Sequence, residues 1–107
     1  MHNTKIEQLL EFLKEDPSDR FTLYALALEY EKTNPEKAHF YFELLLQEHP
    51  EYLATYYHAG KFYEKSDKEA SRSIYKKGMA LALTLRNTKT YNELQNALQQ
   101  LSEEEYD

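Results

Sequence analysis

The sequence contains no cysteine, which removes a disulfide framework, a thiolate metal site and a thiol nucleophile together. A reducing compartment fits such a chain, and we expect it to be cytoplasmic. Glycine and proline are scarce, at two and three of 107 residues, so few positions are equipped to interrupt a helix. No stretch approaches the roughly 20 apolar residues that a membrane-spanning helix needs, and residues 1–7 lack the apolar core of a secretory signal. Basic residues are outnumbered, 13 against 19 acidic, for a net charge of -6. That balance opposes the phosphate neutralisation on which nucleic-acid binding depends, so neither membrane nor nucleic acid is an expected partner.

What the chain does have is helix-forming residues, with Leu, Ala, Glu, Lys and Gln recurring almost throughout. A chain of this length suits one domain with a modest core, burying about two-thirds of its unfolded surface. Caps and apolar spacing predict an all-α fold of about six helices. Thr4 with Glu7 forms a capping box for the first, whose stripe is Ile6, Leu9, Leu10 and Leu13, and Asp16-Pro17 ends it. Ser18 or Asp19 caps a second helix reaching about Lys32. Asn34-Pro35 starts a third, to about Glu48, and Pro50 a fourth, to about Lys65. Asp67 caps a fifth, to about Leu85, and Asn87 or Thr88 begins a sixth that ends near Leu101. The acidic residues 102–107 are expected to fray. Short connections make consecutive helices antiparallel, so the expected architecture is a stack of helical hairpins.

Sliding the sequence along itself until Leu23 falls on Tyr56 brings a whole series of positions into register. Leu26 then falls on Ala59, Ala27 on Gly60, Tyr30 on Tyr63, Ala38 on Ser71, Phe42 on Tyr75 and Leu46 on Met79. Small residues meet small ones and aromatics meet aromatics. Leu9, Phe12, Leu13 and Pro17 stand in the same relation to Phe42, Leu45, Leu46 and Pro50. The chain thus reads as a half repeat (4–14), two repeats (18–50 and 51–85), a closing helix (87–101) and an acidic tail (102–107), within a single domain 1–107.

The two repeats resemble the tetratricopeptide repeat, Trp-x-x-Leu-Gly-x-x-Tyr, then Ala-x-x-x-Phe, then Pro. The first reads Leu23-x-x-Leu26-Ala27-x-x-Tyr30, Ala38-x-x-x-Phe42, Pro50, and the second Tyr56-x-x-Ala59-Gly60-x-x-Tyr63, Ser71-x-x-x-Tyr75. The resemblance covers about residues 18–85 and suggests a small two-repeat member of bacterial type. This sequence departs from the pattern in having no Trp, a period of 33 where the family has 34, and Leu83 where a Pro would close the second repeat. Ankyrin repeats share the period, but their Thr-Pro-Leu-His signature is absent. Leu83 lets the fifth helix run on, and the sixth closes the stack with Tyr91, Leu94, Leu98 and Leu101 inward and Asn92, Glu93, Gln95, Asn96, Gln99 and Gln100 around the rest. A detachable, partner-binding helix is the alternative reading of that segment.

The resemblance implies a scaffold whose inner surface, lined by the first helix of each pair, holds a peptide or partner protein. Carried onto this sequence, that groove draws on Phe21, Tyr24, Ala25, Leu28, Glu31 and Lys32, and on Ala54, Tyr57, His58, Lys61, Glu64 and Lys65. Tyr24 and Tyr57 occupy matching places, and rigid aromatics suit binding hot spots. Packing within the stack is their other use. Family members that grip acidic chaperone tails use a basic, Asn-rich clamp, whereas Tyr24, Leu28, Ala54 and His58 stand here, so an apolar or mixed ligand is expected. The run of residues 38–46 is apolar all round a helix, so Phe40, Tyr41 and Leu44 either contact a second copy, forming a homodimer, or lie under neighbouring helices. His2, His39, His49 and His58 lack metal-ligand spacing, and Glu103, Glu104 and Glu105 sit in the solvated tail. We therefore expect no metal, no cofactor and no catalysis, but an adaptor or accessory chaperone, or failing that a self-associating scaffold.

Overall fold

The computed structural model describes residues 4–104, which form six helices and, among the described residues, no strand. They are α1 (Thr4–Glu15), α2 (Arg20–Thr33), α3 (Pro35–Glu48), α4 (Ala54–Tyr63), α5 (Lys68–Thr84) and α6 (Thr88–Glu104). The chain divides into two compact units, the first ending at Tyr52 and the second beginning at Leu53. In the first, α2 packs on α3 and on α1; in the second, α5 packs on α4 and α6, and α4 also meets α6.

The repetition extends to the turns inside each pair. The Asn34 N–H donates to the Tyr30 carbonyl at 2.7 Å, closing α2, while its side chain accepts from the Lys37 N–H at 3.3 Å, opening α3 before Pro35. Asp67, its counterpart one repeat later, does both again: its N–H donates to Tyr63 at 2.8 Å and its carboxylate accepts from the Ala70 N–H at 3.0 Å. One short polar residue thus satisfies orphan groups of two helices, and the turn shrinks accordingly. The paired core positions match in burial too. Leu23 and Tyr56, Leu26 and Ala59, Ala27 and Gly60, Tyr30 and Tyr63, Ala38 and Ser71, Phe42 and Tyr75 are all buried, and Leu46 and Met79 are both half-buried.

The second unit carries two close approaches. A Cβ on Gly60 would run into the ring of the fully buried Tyr75, 2.6 Å from its Cδ1. A Cβ on Gly78 would lie 2.6 Å from Tyr56 Cβ and 2.9 Å from Leu94 Cδ1, so this glycine lets both α4 and α6 press onto α5. Ser71 Oγ donates to the Gly60 carbonyl at 2.7 Å across the same contact.

Several boundaries differ from expectation. Thr4, expected as the cap of the first helix, lies within α1. α4 begins at Ala54, not Pro50, and residues 50–53 form a turn in which the Tyr52 N–H donates to the His49 carbonyl at 3.0 Å. The His49 ring is meanwhile bonded to the Ser18 carbonyl at 2.7 Å, tying this connection to the start of α2, and no side chain caps α4. α5 stops at Thr84, where the N–H groups of Arg86 and Asn87 return to the Leu83 and Ala82 carbonyls. That is a Schellman closure, and it forces Arg86 to φ 57°, a region that glycine ordinarily fills. α6 continues to Glu104, its last turn supported by Ser102 Oγ donating to the Leu98 carbonyl at 3.1 Å. His2 and residues 105–107 of the tail lie outside the described residues.

Candidate functional site

In the first unit, the N-terminal end of α2 gathers an aromatic cluster. Phe21 and Tyr24 both meet Tyr52 edge-on, with ring centroids 5.7 and 5.5 Å away. The Arg20 guanidinium lies 5.2 Å from the Phe21 ring and 5.3 Å from the Tyr52 ring, and 3.8 Å from the Glu51 carboxylate. Asp19 caps the helix by accepting from the Thr22 N–H at 3.1 Å and the Thr22 hydroxyl at 2.6 Å. That hydroxyl bond is the main reason its carboxyl ionises below the usual value. Phe21 remains 59% exposed whereas Tyr24 is half-buried, and burial raises the Tyr24 phenol above its ordinary pKa. Leu28, a turn further on, is half-buried. Lys32 is exposed and 3.6 Å from Glu29, whose carboxylate also meets Lys5 of α1 at 3.1 Å and is held ionised chiefly by that bond.

In the second unit, Tyr57 and Lys61 of α4 face Glu93, Asn96, Ala97 and Gln100 of α6 across an open hollow of about 410 Å³. Lys61 sits 5.7 Å from the centre of the Tyr57 ring and 3.6 Å from the Glu64 carboxylate. The same Glu64 oxygen accepts the Tyr75 hydroxyl at 2.6 Å. Burial first, then this bond to an anion, lifts the Tyr75 phenol far above its ordinary pKa. A relay therefore runs from the buried core through Glu64 to the lysine at the rim. His58 is half-buried with its ring edge-on to Tyr57, and Lys65 lies exposed just beyond the end of α4.

Sequence reasoning missed Tyr52 and Arg20, which complete the first cluster, and Glu93, Asn96 and Gln100, which form one wall of the second. The signal for the latter was present: these three recur at helical spacing on one stripe of α6, a stripe that reads equally well as the polar back of a cap. The inward set of α6 is Leu94, Ala97 and Leu101, with Tyr91 and Leu98 half-buried, so the expected stripe is correct except that Ala97 replaces the outer pair in depth. On α3, Phe40 is 57% exposed but Leu44 is half-buried and Tyr41 is buried, its ring stacked 5.7 Å from that of Tyr30 at 4°. The expected apolar face of three residues is thus reduced to Phe40 with the flank of Leu44. Among the described residues, no group of three or more His, Cys, Asp or Glu is arranged to hold a metal ion, and no helix is long and apolar enough to cross a membrane.

No protein-family model matches the sequence, and no curated protein does. Solved structures do. The crystal structure of a tetratricopeptide repeat domain protein from Salinibacter ruber is 38% identical over 79% of this chain and 97% of its own, with a TM-score of 0.73. The solution structure of a tetratricopeptide repeat domain protein from the same organism is 40% identical over 80% of this chain and 89% of its own, with a TM-score of 0.74. A protein from Bordetella parapertussis, 22% identical, shares the fold over 97% of this chain and 91% of its own at a TM-score of 0.80. This helical-repeat fold is one generally used for protein–protein interaction. The caps that recur once per repeat, the small residues at the close approaches and these relatives agree: the chain belongs to the tetratricopeptide-repeat family.

Proposed function

We propose that the chain is a protein-binding module, an adaptor or accessory chaperone, that engages a peptide or a segment of a partner protein through the first helix of each repeat. The observation that carries this reading is the hollow of the second unit. Tyr57 contributes an aromatic surface there, held beside a lysine fixed by the Glu64–Tyr75 relay, and the carboxamides of Asn96 and Gln100 offer paired donors and acceptors opposite. An aromatic ring already held in place lowers the entropy cost of holding an extended partner. The Phe21, Tyr24 and Tyr52 cluster of the first unit presents a second aromatic surface of the same kind.

The test is capture of partners from the lysate of the source cells by the wild type and by Tyr24→Ala and Tyr57→Ala, each first shown to be folded by circular dichroism. A partner held by the wild type and lost with Tyr57→Ala supports the reading, and retention by both variants contradicts it. Self-association is the rival use of this chain. It rests on Phe40 and the flank of Leu44, and Phe40→Ser leaving a concentration-dependent mass unchanged would remove it.

A further inference from the structure

The hollow between α4 and α6 has a definite charge. Its single lysine, Lys61, is 3.6 Å from Glu64, so the positive charge at the rim is already matched by a carboxylate fixed from behind by the Tyr75 hydroxyl. Glu93 lines the same hollow, and a neighbouring depression continues along α6 over Asn96, Gln99, Gln100 and Glu103. Glu93, Asn96, Gln100 and Glu103 therefore mark one continuous stripe, acidic at both ends with amides between. Neither terminal carboxylate forms an ion pair among the described residues; Glu103 accepts only a 3.4 Å bond from Gln99 Nε2.

We propose that the partner segment bound in this hollow is basic: an extended stretch of a protein with Lys or Arg at two points, apolar or small between them. This rests on the protein-binding reading above and names the class of partner. Charge complementarity selects it. Glu93 and Glu103 are ten residues apart on a helix, about 15 Å at the α-helical rise. An extended chain covers that length in four or five residues. Lysines so spaced meet both carboxylates, while Ala97 and the Tyr57 ring accept the intervening side chains and Asn96 and Gln100 pair with its backbone. An acidic segment would instead meet two carboxylates and a lysine whose charge is already matched.

The experiment titrates the full chain with three blocked peptides at low salt, following amide NMR shifts of Ala97 and Gln100. The first is Ala-Lys-Thr-Leu-Gly-Thr-Lys-Ala, and the others carry Gln or Glu at both lysine positions. The lysine peptide is expected to bind at least about fivefold more tightly than the glutamine one, with the glutamate one weakest and the differences shrinking as salt is added. Glu93→Gln and Glu103→Gln should each weaken the lysine peptide by about two- to fivefold. Equal binding of all three peptides, or indifference to both substitutions, overturns the basic class. If Tyr57→Ala still abolishes binding in that case, the site itself stands and only this inference falls. If none of the peptides moves these resonances at millimolar concentration, both the inference and the placement of the site at the α4–α6 hollow are refuted.

Discussion

In the first unit the close-packed template positions hold Ala27, Ala38 and Phe42, and in the second the same positions hold Gly60, Ser71 and Tyr75, all of them buried. The first set is entirely apolar. The second replaces a methyl with a hydrogen, a methyl with a hydroxymethyl and a phenyl with a phenol. Each change needs another: the Tyr75 ring lies where a Cβ of residue 60 would be, the Ser71 hydroxyl bonds the carbonyl that the bare glycine leaves accessible, and the Tyr75 hydroxyl finds Glu64. A buried hydroxyl without a partner is costly, so Tyr75 and Glu64 belong together. Glu31 is the counterpart of Glu64 in the first repeat, but there the aromatic is Phe42 and has no hydroxyl to offer. One template thus carries an oily pair and a pinned pair, and the pinned pair connects core to surface, through Glu64 to Lys61.

The largest effect should come from making the second unit resemble the first at residue 60. Gly60→Ala should destabilise by about 1–3 kcal/mol in a denaturant titration, because overpacking against Tyr75 outweighs the better helix propensity of alanine. If the variant were instead more stable, the close approach would not be tight. A smaller effect is expected from Tyr75→Phe, about 0.5–1.5 kcal/mol for the lost hydrogen bond. This substitution also has a pH signature. The Tyr75 phenol is raised above 10.0, so the fold favours its neutral form; that stabilisation is complete below pH 10 and is lost as pH rises beyond it. The alkaline loss of stability should therefore be shallower in Tyr75→Phe than in the wild type.

Acid should act on the first unit. Among the described residues, the carboxyls held below their ordinary values are Asp19 and Glu29, both in the first unit. Their contribution is complete above the ordinary pKa and disappears as pH falls beneath it. Asp19→Ala should cost about 1 kcal/mol as a lost helix cap and flatten the stability profile below pH 3.8. The smallest effect belongs to the end of α5: Arg86→Gly should stabilise by about 0.5–1 kcal/mol, since glycine adopts the left-handed conformation without the Cβ penalty.

The hairpins were legible because they are local. A polar cap in each repeat, with apolar residues at helical spacing between, fixes where helices begin and which faces close. The α4 start was not legible, because Pro50 carries an ordinary helix-opening signal and what holds the chain as a turn is a long-range bond from the His49 ring back to Ser18. Of the candidate binding residues, Tyr57 and Lys61 are brought together with α6, and Phe21 and Tyr24 meet round Tyr52. Which stripe of α6 faces the hollow depends on how α6 is rotated on α5, and Gly78 sets this by admitting Leu94. A polar helix face looks the same in sequence whether it turns to a groove or to open water.

The most direct measurement is amide hydrogen exchange of the chain alone and with a partner captured by the wild type. Protection gained at residues 57–61 and 93–100 is the predicted result. Protection appearing at Phe40 and Leu44 instead, with α4 and α6 unchanged, would contradict a binding site in the α4–α6 hollow.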